Sequence, residues 1–185
     1  MAMDKSTDLW HAPVTVDDIP EAGLHVELEA PEAVREALAP VAGLRALPEL
    51  KATFDLTRRG RGVHVGGTVL ARVGQTCVVT LEPIENRVEE EVDLLFSPDV
   101  PAVPADIEAD AHSIGHTADE EDAPEPLVGG TVDLGAVATE FLMLGIDPYP
   151  RKEGAQFASP AAEDAGAHPF AALAALKKSP GGARS

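Results

Sequence analysis

The sequence predicts an α+β fold, in which an antiparallel β-sheet packs against a helix. Three observations carry this prediction: several consecutive segments alternate apolar and polar residues, short turns separate those segments, and one later segment has helical apolar spacing. Consecutive strands joined by short turns pair in antiparallel order. We expect a sheet of about five or six strands, which Gly66 and Gly67 could curl toward a barrel, with a helix on its open face and a long acidic loop.

The amino-terminal part predicts short elements. Val14 and Val16 lie in a first short apolar stretch, and residues 24–28 alternate with period two, as a strand with one buried face does. Pro31 then precedes residues with helical apolar spacing, which end at Pro40 and Gly43. We expect a short helix there.

The central part predicts most of the sheet. LKATFDLT, residues 50–57, alternates strictly and predicts a half-buried strand, and RRGRG, residues 58–62, predicts a turn. Alternation continues from Val63 to Val73, where Gly66 and Gly67 indicate a bulge or a bend. TCVVTLEPI, residues 76–84, is a β-branched run that predicts a strand stopped by Pro83, and residues 88–96 alternate again.

A second helix is predicted near the carboxyl end of the domain. Asp133 can cap it, and Gly145 followed by Pro148 can end it. Its apolar stripe is predicted to comprise Leu134, Val137, Ala138, Phe141 and Leu144.

We expect residues 1–157 to form a single domain and residues 158–185 to be a flexible alanine-rich tail that is able to form a short helix. Within the domain, residues 98–126 lose the apolar periodicity and are predicted to be a mobile acidic insertion. Its carboxylates are not offset by any Lys or Arg between positions 105 and 126: Asp106, Glu108, Asp110, Asp119, Glu120, Glu121, Asp122 and Glu125.

The net charge restricts the partners of the protein. The chain has 32 acidic and 14 basic residues, a formal charge of −18. Such a charge repels phosphate at long range, so it argues against a nonspecific nucleic-acid binder and would attract basic proteins. The amino terminus has no apolar run typical of a signal peptide, and no segment has the roughly 20 apolar residues of a membrane span. We therefore expect a cytoplasmic protein without a membrane partner.

The sequence offers little for catalysis or metal binding. Cys77 is the only cysteine, so an intramolecular disulfide and a multi-cysteine metal site are excluded, and this thiol is expected to be a core residue. His112 and His116 have the spacing of a helical zinc pair but lie in a segment without helical support. Because no nucleophile, base and anion site occur together, we expect no enzymatic activity, no metal and no cofactor.

Two local groups of basic residues stand out in this acidic chain. Arg58, Arg59 and Arg61 lie at the predicted hairpin tip, and Arg151 and Lys152 follow the second helix. Arginines at loop tips commonly serve solubility alone, which is the simpler interpretation. If the fold brings both groups together, they could bind phosphate while the neighbouring Tyr149 stacks on a base.

The order of these motifs resembles the YceD family of large ribosomal RNA subunit accumulation proteins, in the alphaproteobacterial form that lacks the full cysteine set. The resemblance rests on GQTCVVTLEPIENRVEEEV, residues 74–92, the acidic insertion, and PEPLVGGTVDLGAVATEFLMLGIDPYPRKEGAQF, residues 124–157. It covers about positions 10 to 157. It implies a role in accumulation of the large-subunit (23S) ribosomal RNA, hence in ribosome biogenesis, without an established enzymatic activity.

The central motif departs from the family pattern at one position. Many relatives read C-x-x-C-L-E-P there; Cys77 matches the first cysteine, whereas Thr80 replaces the second. The resemblance therefore implies no zinc site in this chain and a β fold that is stable without metal.

Two functional hypotheses follow. The first is a noncatalytic ribosome biogenesis factor that contacts the large-subunit RNA or the pre-ribosomal particle through Arg58, Arg59, Arg61, Tyr149, Arg151 and Lys152. The alternative is an acidic chaperone or adaptor for a basic ribosomal protein, in which the acidic segment 106–125 binds the client in place of RNA.

Overall fold

Three long strands that pair with one another dominate the fold. The computed structural model describes residues 9–100 and 124–157. The strands are β1 (Pro13–Thr15), β2 (Leu24–Glu29), β3 (Ala46–Arg59), β4 (Gly62–Thr76), β5 (Pro83–Ser97), β6 (Glu125–Pro126) and β7 (Thr131–Asp133). The helices are α1 (Glu32–Val41) and α2 (Leu134–Gly145), and a 3-10 turn spans Val16–Asp18.

The main sheet has five strands in the order β2-β3-β4-β5-β6, and β1 pairs with β7 in a separate two-stranded sheet. All neighbours are antiparallel except β5 and β6, which are parallel. The α+β class is thereby confirmed. The described strands do not close into a barrel, because β2 and β6 are the two edges of the sheet and pair only inward. The sheet is instead covered on one face by the helices.

Gly66 and Gly67 do not form a bulge. They pair in continuous register with Asp55 and Phe54 of β3, and the only register shift in this pair of strands lies between Ala46 and Glu49. A Cβ atom on Gly67 would lie 2.1 Å from the carbonyl oxygen of Thr53 and 2.9 Å from Cδ1 of Phe54. Gly67 is therefore required by the close packing of Phe54.

The predicted strand over TCVVTLEPI is wrong. Strand β4 ends at Thr76, residues 77–82 form a turn, and β5 begins at Pro83. The N–H of Leu81 donates to the Cys77 carbonyl at 2.9 Å, and that of Cys77 donates to the Glu82 carbonyl at 2.9 Å. Leu81 has a φ of 60°. These turn contacts override the β propensity of the valines and threonines.

The core lies between the inner face of the sheet and the two helices. Both helices occur where predicted, and the Asp133 side chain caps α2 by accepting from the N–H groups of Gly135 and Ala136. The predicted stripe is wrong at Leu144, which is exposed, whereas Thr139 and Leu142 are buried. The largest fully buried apolar side chains are those of Ile19, Leu38, Leu50, Phe54, Leu56, Leu134 and Leu142.

The predicted acidic insertion, residues 98–126, is described only at its ends. Its carboxyl end is not a loop, because β6 pairs with Phe96 and Ser97 and the next N–H, that of Leu127, donates to the Ser97 carbonyl. The acidic residues from Asp106 to Asp122, the histidine pair and the tail 158–185 lie outside the described residues. None of the described helices is long and apolar enough to cross a membrane.

Candidate functional site

The turn after β4 and the segment after α2 form one unit, which we call the junction (residues 77–82 and 147–152). Val78 N–H donates to the Pro150 carbonyl at 2.9 Å. The backbone N–H of Lys152 lies 3.3 Å from Cys77 Sγ. Gln75 Nε2 donates to the Asp147 carbonyl at 2.8 Å. These three hydrogen bonds hold residues 147–152 in one position against the turn and the end of β4.

The local sequence stiffens the segment before it reaches the turn. Pro148 and Pro150 fix two backbone φ angles, and the Asp147 carboxylate accepts from the Tyr149 N–H at 2.8 Å. Gly145 allows the chain to pass close to β5, because a Cβ there would lie 2.5 Å from Cγ1 of Val88. The segment is therefore preorganised by its own residues.

Cys77 is the buried centre of the junction. Its side chain is fully buried, as expected for a core residue, but it lies in the turn rather than in a strand. Its Sγ accepts from the backbone N–H groups of Lys152 at 3.3 Å and Thr80 at 3.4 Å. The bond from Lys152 first, and then those from Thr80, lower the pKa of the Cys77 thiol to about 6. Within residues 9–100 and 124–157, no group of three or more His, Cys, Asp or Glu side chains could hold a metal ion.

The surface of the junction includes exposed apolar and aromatic side chains. Tyr149 is 72% exposed, Leu81 is 75% exposed and Val78 is 44% exposed. Val78 also lines a cleft of about 280 Å³, together with Ala42, Gly43, Ile146, Pro148 and Pro150 and the polar residues Gln75, Thr76 and Asp147. An exposed aromatic ring next to a rigid proline is suited to stacking.

The two cations of the junction differ in their partners. Lys152 Nζ donates to Glu82 Oε2 at 2.8 Å. This hydrogen bond raises the pKa of Lys152 and lowers that of Glu82. Arg151 is exposed and forms no ion pair with any residue that the structure describes. Arg151 is therefore the cation that a ligand could reach without breaking a salt bridge.

The predicted arginine turn lies at the tip of the β3–β4 hairpin. Arg58 donates to the Asp17 carbonyl at 2.5 Å, and Arg61 pairs with Asp99 at 2.9 Å. Arg59 is exposed and has no ion pair among the described parts of the chain. Two of the three arginines are thus already bonded within the protein.

The hairpin tip and the junction lie at opposite ends of β4. The hairpin tip precedes Gly62 and the junction follows Thr76, the first and last residues of this strand. With a rise of about 3.3 Å per residue, the strand separates them by about 45 Å. The two basic groups therefore do not form one phosphate-binding surface.

The outer face of the sheet carries a group of acidic residues that are far apart in the sequence. They occupy the polar positions of separate strands, and the register brings them onto one face: Glu27 and Glu29 on β2, Asp55 on β3, and Glu91 and Asp93 on β5. Adding up the charges at the polar positions of all alternating segments would have revealed them. Of the acidic residues predicted as a client site, only Glu125 is described, in β6.

Comparison with known proteins gives one match. The family model described as "Large ribosomal RNA subunit accumulation protein YceD" matches residues 65–177, more than half of the chain. The matched region contains the junction, whereas the arginines of the hairpin tip precede it. No curated protein and no solved structure matches the chain significantly.

Proposed function

Because the chain belongs to the YceD family of large ribosomal RNA subunit accumulation proteins, we propose that it is a noncatalytic ribosome biogenesis factor that acts in the cytoplasm. It supports accumulation and maturation of the 23S ribosomal RNA by binding the pre-ribosomal particle. The family name supports the biogenesis role.

The junction is the proposed contact with RNA. The observation that carries this choice is the exposed pair Tyr149 and Arg151 on a segment that backbone hydrogen bonds to Val78 and Cys77 hold in place. A tyrosine ring stacks on an unpaired base, and a guanidinium binds phosphate in bidentate fashion. Because the segment is already ordered, little conformational entropy is lost on binding.

The net negative charge of the protein limits the size of this contact with RNA. A protein with a net charge of −18 gains little from nonspecific attraction to RNA. The contact is therefore small, and the base stacked on Tyr149 contributes more of its free energy than phosphate neutralisation does. Lys152 joins the contact only when it leaves Glu82. Arg58, Arg59 and Arg61 provide a separate and weaker contact at the far end of β4.

Sedimentation of variants with pre-ribosomal particles tests this proposal. Tyr149→Ala with Arg151→Gln should abolish co-sedimentation with large-subunit precursors, because stacking and the free cation are both lost. The control is Arg58→Gln, Arg59→Gln and Arg61→Gln, which removes more positive charge at the other end of β4. We expect this control to retain most of its binding. Unchanged co-sedimentation of the junction variant would refute the proposal.

A second candidate function is that of a chaperone or adaptor for a basic ribosomal protein. It is favoured by the net charge and by the acidic outer face of the sheet. The acidic residues 106–125 are part of this candidate. Replacing the carboxylates from Asp106 to Asp122 with amides keeps the connection between the parallel strands β5 and β6. This variant should bind RNA equally or more strongly, whereas a client that needs the acidic segment would be lost.

A further inference from the structure

The outer face of the main sheet bears a charged surface, which we call the acidic strip (Glu27, Glu29, Asp55, Glu91 and Asp93). The register defines its rows across the strands. Glu27, Thr53, Thr68 and Glu91 are successive neighbours, and His25, Asp55, Gly66 and Asp93 form the adjacent row. The opposite face of these strands buries the core, so the acidic strip faces outward.

Short side chains lie between the outer carboxylates of the strip. In the row from Glu27 to Glu91 the central strands β3 and β4 contribute Thr53 and Thr68. In the adjacent row they contribute Gly66 and Asp55, which is itself part of the strip. The two side strands are three interstrand spacings apart, about 14 Å. A helix with its side chains is about 10–12 Å wide, and an extended segment is narrower. One protein segment therefore fits between the carboxylates.

Most carboxylates of the strip lack a Lys or Arg partner among the described residues around them. No salt bridge joins any of them to a Lys or Arg of residues 9–100 and 124–157, but Glu29 lies opposite Lys51 and, after Glu49, raises the pKa of this lysine. The ion-pair partners of the others are histidines: His25 contacts Asp55 and Glu27, and His64 contacts Asp93. The Glu27 side chain is 80% exposed and that of Asp93 is 83% exposed. On the same face, Lys51 pairs with Glu49, Arg72 with Glu49 and Glu85, and Arg87 with Glu89, all of them glutamates outside the strip.

We propose that the acidic strip docks a Lys- and Arg-rich segment of a partner protein. Charge complementarity selects this occupant, because strong negative potential attracts cationic side chains and repels other acidic surfaces. RNA is disfavoured by its phosphates, and a second copy of this chain by its own charge of −18. Lysine and arginine stems would cross the central threonines while their cationic groups reach the carboxylates on both sides.

The surface is distinct from the junction and does not depend on it. The inference rests on the proposed role in ribosome biogenesis only for the source of the segment, a basic protein of the large subunit. Binding of a basic segment can therefore be measured without ribosomal particles. Failure of the docking proposal would leave the RNA contact at Tyr149 and Arg151 untouched.

Titration of the full-length protein with a labelled oligolysine peptide tests the docking surface. The variant is Glu27→Gln, Glu29→Gln and Glu91→Gln, three exposed residues that retain their side-chain volume. The matched control is Glu21→Gln, Glu36→Gln and Glu140→Gln, three exposed glutamates outside the strip with the same change of net charge. Thermal melting monitored by circular dichroism checks that both variants are folded.

We expect the strip variant to bind the peptide about tenfold more weakly than the wild type, and the control to bind almost as well as the wild type. An unchanged affinity of the strip variant would overturn the proposal. An equal loss in the control would also overturn it, since net charge alone would then explain the binding. Replacing the seven carboxylates from Asp106 to Asp122 with the corresponding amides, at unchanged chain length, should keep the difference between the two variants if the sheet is the docking surface.

Discussion

The backbone N–H of Lys152 lies 3.3 Å from the Sγ atom of Cys77, 75 residues earlier in the chain. This contact joins the segment after α2 to the turn after β4. The exposed Tyr149 and Arg151 lie between the hydrogen-bonded residues Asp147, Pro150 and Lys152 of this segment. The same sulfur accepts from Thr80 within the turn. A buried thiol thus serves as the common acceptor of both halves of the junction.

Replacing Cys77 with serine should remove a pH dependence of stability. The folded-state pKa of Cys77 is lowered to about 6, chiefly by the Lys152 N–H. The folded protein therefore binds fewer protons than the unfolded chain between pH 6 and the ordinary thiol pKa of about 8.5. The stability from this thiolate is fully present above about pH 8.5 and is lost as the pH falls through 6. Urea unfolding midpoints across this range should rise more for the wild type than for Cys77→Ser.

A second variant of Cys77 distinguishes the effect of thiol titration on stability from the effect of the hydrogen bonds that the sulfur accepts. Cys77→Val keeps an apolar core side chain but offers no acceptor to Lys152 and Thr80. We expect it to be less stable than Cys77→Ser at every pH, because two N–H groups lose their partner. Parallel pH profiles of the wild type and both variants would contradict the role of the thiolate.

Two adjacent glycines should respond differently to alanine. Gly67→Ala should destabilise the protein by about 1–3 kcal/mol, because its Cβ would overlap the carbonyl oxygen of Thr53 and crowd Phe54. Gly66→Ala faces the outer side, where the nearest atom, Cε1 of His64, is 3.4 Å away, and should change stability by less than about 1 kcal/mol. Urea denaturation of both variants measures the difference. Equal losses would show that backbone flexibility, rather than the contact with Phe54, explains both glycines.

The parts of the fold that the sequence predicted are those determined by local pattern. The strict alternation of residues 50–57 predicts the buried face of β3, and Asp133 before an apolar helix predicts the cap of α2. The turn at residues 77–82 could not be recognised in this way. Its β-branched residues favour a strand, and the contacts that override them include the distant Pro150 and Lys152.

The candidate sites depend on register and on the course of the chain, which local pattern does not contain. The sequence alone distinguishes Tyr149 and Arg151, an aromatic and a basic residue beside prolines in an acidic chain. Their separation from Arg58 follows only from the length and direction of β4. The acidic strip requires the pairing of Glu27 with Thr53 and of Thr68 with Glu91. A shift of one residue in either pairing would move these carboxylates to the other face.

Removal of the Asp133 cap of α2 should lower the free energy of unfolding and should change how this free energy depends on pH in the acidic range. Asp133→Ala should lose about 1–2 kcal/mol, whereas Asp133→Asn keeps a side-chain acceptor and should lose less. Burial alone would raise the pKa of Asp133, but the bonds from the Ala12 N–H, His11 and the first helical N–H groups outweigh it and lower the pKa. Its stabilising effect is therefore present above the ordinary aspartate pKa and lost as the pH falls through the lowered value. The Ala variant should lose less stability than the wild type on acidification below about pH 4, measured by urea unfolding.

Releasing Lys152 from its salt bridge should strengthen RNA binding at the junction. Glu82→Gln removes the carboxylate that holds Lys152 Nζ at 2.8 Å, and stability should change by no more than about 1 kcal/mol because the pair is exposed. Affinity for a labelled single-stranded RNA should rise and should fall more steeply with added salt, since one more cation reaches phosphate. Glu140→Gln is the matched control, because it changes the net charge equally at an exposed glutamate of α2, outside both basic groups. If the affinity for RNA rose equally in both variants, net charge would explain the effect. The proposal that the junction is the RNA contact would then be refuted.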